Sequence, residues 1–380
     1  MRCGSRSSIG HSIARAIAIL TEIGSTLPTS IQPTTTFTRL GTVFSPDGSP
    51  EEQEGTVNPA SARLRDGTLA LYPRVVAAGN ISRVGFARGR WQGDTVTFER
   101  DGFALEPKAD YEFRITPGGY GCEDPRVTYF APLDLYLMTY CSYGPQGTAV
   151  AVAHSKDGVT WERLGTVWFP AFEVCYGDKD AVFFPDVVLS PSGVPSIALL
   201  HRPTMHLSVA AGRGLIPSIL AMEPADRESI WISYVSLERV RANLSALLDV
   251  VDNVQLMHPE GTWGAIKLGA GPPPVRIREG WLLVYHGIDV LPRSSDVAKN
   301  TLEYCAGIAI LDVQHPDRVL YRAPSPFLTP ALPEEIHGVV DNVVFPTAID
   351  PRPDIGPRSF DIYYGMADTL IGRGRLDLGD

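Results

Sequence analysis

From Gly67 onward, short runs of apolar, β-branched and aromatic residues alternate with clusters of Gly, Pro, Asp and Asn. Runs this short, bounded by turn formers, predict strands, and a 3.6-residue apolar period is confined to positions 237–248. Five of the runs share one form, at positions 69–75, 135–141, 196–202, 281–286 and 360–364. Each is an apolar stretch that ends in polar or functional side chains: Arg74, Tyr140, His201 with Arg202, Tyr285 with His286, and Tyr363 with Tyr364. Markers at Arg74, Tyr140, Arg202, His286 and Tyr364 stand 66, 62, 84 and 78 residues apart. A second element follows each run, at 84–87, 150–154, 232–235, 307–310 and 365–368. Its second copy continues through the tight turn Ser155-Lys156-Asp157-Gly158 to Trp161. Five copies at this spacing predict an all-β fold, a five-bladed β-propeller of four-stranded blades, because radial packing leaves only short sheet edges. An open sandwich with chance periodicity gives no reason for every copy to carry polar residues at one strand position. Taken as the innermost strands, the five runs bring their polar ends around one axial funnel, where the active site is expected.

Composition narrows the partners. The chain has 380 residues, 44% of them hydrophobic, which suffices for one large domain. A net charge of -10 repels nucleic acid, so an anionic ligand has to be held by a local basic cluster. The five cysteines, Cys3, Cys122, Cys141, Cys175 and Cys305, are too few and too irregular for a disulfide framework, which fits a reducing compartment and a cytoplasmic location. No apolar run approaches the roughly 18 to 20 residues that span a bilayer, so no membrane partner is expected. Positions 1–34 differ from the rest: Arg2, Arg6 and Arg15 with many serines, no acid before Glu22, and an amphipathic stretch at 13–20. They read either as an organellar transit peptide or as a loosely packed extension. Positions 35–380 are then the catalytic domain, and homo-oligomerisation stays open.

The segment Gly121-Cys122-Glu123-Asp124-Pro125-Arg126-Val127-Thr128 precedes the second run, where a loop would overhang the funnel. Alone it reads as a turn with a local ion pair. It stands, however, in an ordered set. Asn58-Pro59-Ala60, Arg74 and Ser82-Arg83 come before it. Lys179-Asp180-Ala181 leading to Phe184-Pro185, His201-Arg202-Pro203, Lys267-Leu268-Gly269 and Gly271-Pro272-Pro273 follow. Gly280-Trp281 leading to Tyr285-His286-Gly287, and Tyr364-Gly365 with Asp368, complete it. From Phe37 to the C-terminus this set resembles glycoside hydrolase family 130, the β-mannoside phosphorylases and related β-mannosidases. The resemblance implies a five-bladed propeller, the architecture reached from the repeat. Two features depart from the commonest pattern: Pro73 interrupts the strand ending at Arg74, and Asp186 stands where a glutamate is usual after Phe-Pro. The stretch between His206 and Trp263 resembles the family weakly, so no substrate preference set there carries over.

The resemblance implies inverting phosphorolysis of a β-mannoside, such as a β-mannosyl-glucose, β-mannobiose or β-manno-oligosaccharide, to α-mannose 1-phosphate and the shortened acceptor. Asp124 matches the catalytic acid, whose proton passes through a hydroxyl of the bound mannose, so it need not touch the scissile oxygen. A phosphate oxygen is already anionic at neutral pH and needs no general base. It needs cations and donors that hold it in line with the anomeric carbon. Lys179, Arg202 and His286 match the phosphate-binding positions, with Tyr285 an accessory donor. Three such groups buried together without an anion would repel one another. Asn58, Arg74, Ser82, Arg83, Glu123 and Asp368 match positions lining the mannose pocket, and Tyr140 and Trp263 are candidates to stack on the sugar. No cofactor is implied beyond phosphate as co-substrate. No metal is implied either, since the eight histidines lack ligand spacing with carboxylates or cysteines. A β-mannosidase on the same fold would use water and a second carboxylate roughly 6.5 to 9.5 Å from the acid, with no use for the cations. A non-catalytic carbohydrate-binding propeller would not need Asp124 and the basic set, and a WD-type interaction propeller would carry its repeat dipeptide.

Overall fold

The structure, a computed structural model, describes residues 32–169, 177–204, 216–261, 263–291 and 301–379. Of the extension expected at 1–34, positions 1–31 lie outside the described residues, as do Cys3 and Cys175. The remainder belongs to one compact unit, Pro33–Asp380.

The fold is all-β. Strand β1 (Thr35–Phe44) is followed by β2 (Gly55–Arg63), β3 (Leu69–Ala77), β4 (Ile81–Gln92) and β5 (Thr95–Leu105). Next come β6 (Tyr120–Phe130), β7 (Leu135–Gly144), β8 (Gly147–Ser155) and β9 (Glu162–Thr166). A third group is β10 (Gly177–Phe183), β11 (Val188–Leu189), β12 (Pro195–Thr204), β13 (Ile230–Ser236) and β14 (Val251–Met257). A fourth is β15 (Lys267–Ala270), β16 (Val275–Arg276), β17 (Trp281–Leu291), β18 (Thr301–Leu311) and β19 (Val319–Arg322). The chain ends with β20 (Val344–Pro351), β21 (Ser359–Met366) and β22 (Leu370–Leu378). The apolar period at 237–248 resolves into the helical turns Leu237–Ala242 and Leu244–Leu248.

Hydrogen bonding orders these strands as β1-β22-β21-β20, β10-β12-β13-β14, β15-β17-β18-β19, and an eight-stranded sheet holding β2 to β9. The last is two antiparallel stacks joined only where Ile81 and Ser82 of β4 pair, in parallel, with Tyr120 and Gly121 of β6. The first described strand completes the sheet of the last, Thr35 pairing with Leu378 and Phe44 with Ile371.

Alternating side chains bury one face of each stack against the next. Tyr72 and Phe86 pack with Met138 and Tyr140; Leu137 and Val152 with Phe183 and Leu199; Leu200 and Ile232 with Leu283 and Tyr285. Ala306 packs with Val344 and Tyr364, and Tyr363 and Ile371 with Leu69 and Leu71. Each fully buried side chain of this size contributes about 1.5–3 kcal/mol.

Two expectations are corrected. The five apolar runs are β3, β7, β12, β17 and β21, which stand second in their stacks rather than innermost. Each first strand is instead β2, β6, β10, β15 or β20, and these pack on one another: β2 on β6 and β20, β6 on β10 and β20, β10 on β15. The sequence hid them because turn-like residues at register slips interrupt most of them, so that 121–128 read as an overhanging loop. A second strand, covered on both sides, reads as a plain apolar run. The fifth copy of the second element, 365–368, lies at the end of β21 and in the turn after it, and β22 takes the place expected for it.

Candidate active site

The interruptions in the first strands are one device repeated. In β2, β6 and β10 the register with the neighbouring strand slips between Val57 and Ala60, between Glu123 and Arg126, and between Lys179 and Val182, two residues facing one each time. At each bulge a non-glycine residue takes a left-handed backbone: Asn58 at φ 43°, Asp124 at 47° and Asp180 at 54°. Asn and Asp tolerate that region because their short polar side chains bond locally. A bulge also re-aims its side chain away from the pleat. Asn58, Asp124 and Asp180 therefore project from three adjacent first strands toward a common place.

Asp124 is buried at the centre of what they form. Its Oδ1 accepts from Asn58 Nδ2 at 2.8 Å and from Arg74 Nη1 at 3.2 Å, and its Oδ2 accepts from Lys179 Nζ at 3.3 Å. Arg74 also donates to Glu123 Oε1 at 2.9 Å, Asn80 Oδ1 at 3.1 Å and Ser82 Oγ at 2.9 Å. Arg126 does not pair with the Asp124 carboxylate: it donates to the carbonyls of Asp124 at 2.7 Å and Gly271 at 2.9 Å, bracing β6 against the chain after β15. Next to this group lies a second, centred on Asp180. Its Oδ2 accepts from Arg202 Nε at 2.8 Å and lies 3.4 Å from His286 Nε2; its Oδ1 is 4.0 Å from Lys179 Nζ. Arg202 also donates to Glu228 through Nη1, and Lys267 Nζ is 3.9 Å from the same carboxylate. Lys179, with 23% of its side chain exposed, links the two groups.

Burial pushes the Asp124 carboxyl up, but Lys179, Arg74 and Arg126 with the Asn58 hydrogen bond outweigh it and hold the group well below the usual carboxylate range. Burial wins at Glu123, which is raised, and at Asp368, pushed up to about 6 although Arg74 is near. Burial also pushes His286 down to about 4, against Asp180, so its ring is neutral at pH 7. Burial and the neighbouring Arg202 bring Lys267 down to about 8, while Asp124 and Asp180 overcome burial to raise Lys179.

The structure thus brings together Asn58, Arg74, Ser82, Glu123, Asp124, Lys179, Arg202 and His286, with Asp368 in electrostatic reach of Arg74 and Asp124. Four predicted residues are elsewhere, two of them because successive strand side chains face opposite ways. Next to His286, Tyr285 points into the core, stacked on Trp263 with centroids 5.1 Å apart, its hydroxyl accepting from Arg322 Nε at 3.2 Å. Next to Ser82, Arg83 turns out over Phe103, 3.4 Å from Glu106. Tyr140 and Trp263 are likewise core residues, Tyr140 donating to Glu112 Oε1 at 2.6 Å. Sequence reasoning missed Asn80, Asp180, Glu228 and Lys267. Asp180 carried a signal, because Lys179-Asp180 repeats the Glu123-Asp124 bulge. Glu228 lies in the stretch of weak resemblance and carried none.

The sequence model for beta-1,4-mannooligosaccharide phosphorylase, glycoside hydrolase family 130, matches residues 31–211 and 227–379. The chain belongs to family 130. A 1,2-beta-oligomannan phosphorylase of Thermoanaerobacter sp. (strain X514) is 26% identical over 350 residues, covering 89% of this chain and 95% of that protein. A beta-1,4-mannooligosaccharide phosphorylase of Ruminococcus albus is 38% identical over 273 residues, covering 70% and 65%. The Listeria innocua beta-1,2-mannobiose phosphorylase in complex with beta-1,2-mannobiose shares the fold with a TM-score of 0.66 at 22% identity, covering 90% of this chain and 96% of that one. Within family 130 the bulged first strands are what deliver this chain's polar cluster.

Proposed function

We propose that this family 130 chain is an inverting β-mannoside phosphorylase that releases α-mannose 1-phosphate. The observation that carries the reading is the gathering of Lys179, Arg202, Lys267 and His286 about Asp180, directly beside Asp124. Asp124 and the groups holding it, Asn58, Arg74 and Glu123, form the mannose side. Lys179, Arg202 and Lys267, with the neutral His286 ring as a hydrogen-bonding partner, form the phosphate side and hold the nucleophile against the anomeric carbon. Atoms balance without an added base: one C–O bond forms to phosphate, one breaks to the leaving alcohol, and the single proton of HPO4²⁻ ends on that alcohol. Asp124 supplies the proton to the leaving oxygen through a mannose hydroxyl and is restored at the end of the cycle. A hydrolase would need a second carboxylate available as base. The cations gathered beside Asp124 suit an anionic nucleophile rather than water, which supports phosphorolysis over hydrolysis.

Five apolar clusters, each between consecutive stacks and the last between β20–β22 and β3–β4, support reading the fold as a closed five-bladed propeller. No helix among the described residues is long and apolar enough to cross a membrane. Cys122, Cys141 and Cys305, all buried free thiols, support the cytoplasmic assignment.

The test is incubation with a panel of β-mannosides differing in linkage, with and without phosphate. Mannose 1-phosphate should form only when phosphate is present. Equal release of free mannose in phosphate-free buffer would establish the hydrolase instead.

A further inference from the structure

Resting on the phosphorylase reading, we infer that Asp180 makes the anion site selective for an oxyanion that carries its own proton, monohydrogen phosphate or arsenate, over fully ionised sulfate. The Asp180 side chain is wholly buried, and its two oxygens are used unequally. Oδ2 accepts from Arg202 Nε at 2.8 Å and faces His286 Nε2 at 3.4 Å. Oδ1 has no hydrogen-bond partner among the described residues. It lies 4.0 Å from Lys179 Nζ and 4.0 Å from Arg126 Nη2, too far to bond either. Arg126 cannot swing over to satisfy it, since its guanidinium is tied to backbone carbonyls of residues 124, 270 and 271. Gly269 lets the backbone of β15 pass close to the carboxylate on its Oδ2 side. A Cβ there would sit 2.5 Å from Asp180 Oδ2 and 2.4 Å from His286 Nε2.

The orphan oxygen defines what the site accepts. Burial raises the carboxyl, but Arg202 and Lys179 hold it well below the usual range, so it is an ionised, acceptor-only group. A buried polar group left unpaired keeps its full desolvation cost, and more so when charged. An oxyanion set against Lys179 and Arg202 relieves that cost only by donating a hydrogen bond to Oδ1. HPO4²⁻ and HAsO4²⁻ each carry a P–OH or As–OH proton at neutral pH and can bridge Lys179 Nζ and Asp180 Oδ1, accepting from one and donating to the other. Sulfate matches their size and charge but has no proton, and would place lone pairs against lone pairs. Asp180 is thus a specificity-determining residue: it admits the proton-bearing nucleophile whose proton the reaction consumes. Sites built to bond one hydroxyl reject analogues lacking it by large factors, up to about 10⁴–10⁵.

The experiment measures initial rates of mannose 1-phosphate formation against phosphate, with sulfate as competitor, and repeats the rates with arsenate in place of phosphate. The expected ratio of sulfate Ki to phosphate KM exceeds roughly 10², with arsenate supporting turnover. In Asp180→Asn the amide offers a donor where the oxygen stood, and the ratio should fall to within about tenfold. Glu228→Gln removes a charge from the same Arg202 but not the orphan oxygen, and should leave the ratio above roughly 10². Competitive inhibition of the parent protein by sulfate at concentrations near the phosphate KM overturns the inference, whatever the variants do. So does a ratio that collapses in Glu228→Gln and holds in Asp180→Asn. Turnover that needs no phosphate overturns the phosphorylase reading itself, a result distinguishable from both.

Discussion

The acid role proposed for Asp124 sets two demands that pull against each other. To act as an acid it must hold a proton, yet in the unliganded protein Lys179, Arg74 and Asn58 stabilise its ionised form. On the proposed mechanism a mannose hydroxyl inserted among them would replace part of this set and let Asp124 exchange a proton with the sugar. Asp124→Asn keeps shape and polarity but not the proton, and should lower kcat by about 10² or more with little change in mannoside binding. Lys179→Ala should instead raise the phosphate KM, since it removes a cation from the anion side; steady-state kinetics in both substrates separate the two. If Asp124→Asn retains nearly the parent kcat while Arg126→Ala is dead, Asp124 is only a structural partner. Asp368 gives a second test. Its pKa is raised in the folded protein from an ordinary 3.8 to about 6, so the native state binds more protons than the unfolded one across that interval. By linkage, stability falls as pH rises from about 4 to about 6, and the penalty is fully present above that. Asp368→Asn should therefore stabilise the protein at pH 7, by about 1–2 kcal/mol once its partial exposure is allowed for, and by much less at pH 4. Urea titrations at the two pH values decide it: equal effects at both would remove the electrostatic explanation.

At the scale of elements, what could be read from the sequence divides along a physical line. Second strands such as β12 and β17 are buried on both faces, so composition alone marked them and their spacing. First strands such as β6 are only as apolar as a bulge and a central polar cluster permit, and Glu123-Asp124-Pro125 looked like a turn. That Asp124 belongs to the central cluster was nonetheless legible, because its motif is local; so was the membership of Arg74, Lys179, Arg202 and His286. Tyr285 and Arg83 were misplaced because a sequence run does not say which of two neighbouring strand positions faces the site, and one position reverses the face. Asp180 and Glu228, the acids that neutralise the basic group, were missed for a different reason. The cations were read as needing an anion, and the ligand was supposed to supply it. The fold supplies two of its own, through a bulge on β10 and the segment before β13, and only three-dimensional proximity reveals that.

Across the whole molecule, the first and last described strands share one sheet, and that sheet also packs on β3 and β4. Pairing of β1 with β22 is one fastening, and Arg39 adds another by donating to both carboxylate oxygens of Glu335 at 2.8 and 2.9 Å. The third ties β20–β22 to the turn between β4 and β5. Asp361, wholly buried, accepts from Arg352 at 2.6 Å, Arg373 at 2.7 Å and Arg375 at 2.8 Å. The same three guanidiniums reach Asp94 in the turn, at 3.1, 3.0 and 2.8 Å, and Arg352 stacks over Trp91 4.2 Å from the ring centre. The side chains of Arg352 and Arg373 are only 4% exposed, so they depend on these carboxylates rather than on water. Removing one partner of a buried ion network leaves uncompensated charge and costs about 3–5 kcal/mol. Asp361→Ala should lose stability of that order, whereas Asp94→Ala, whose carboxylate is 44% exposed and easily replaced by solvent, should lose about 1 kcal/mol or less. Both variants lie away from Asp124 and Asp180, so the folded fraction should keep the parent kcat. Chemical denaturation of the two, read beside their turnover, tests this fastening. Equal small losses would mean that the apolar faces alone hold the first and last stacks together.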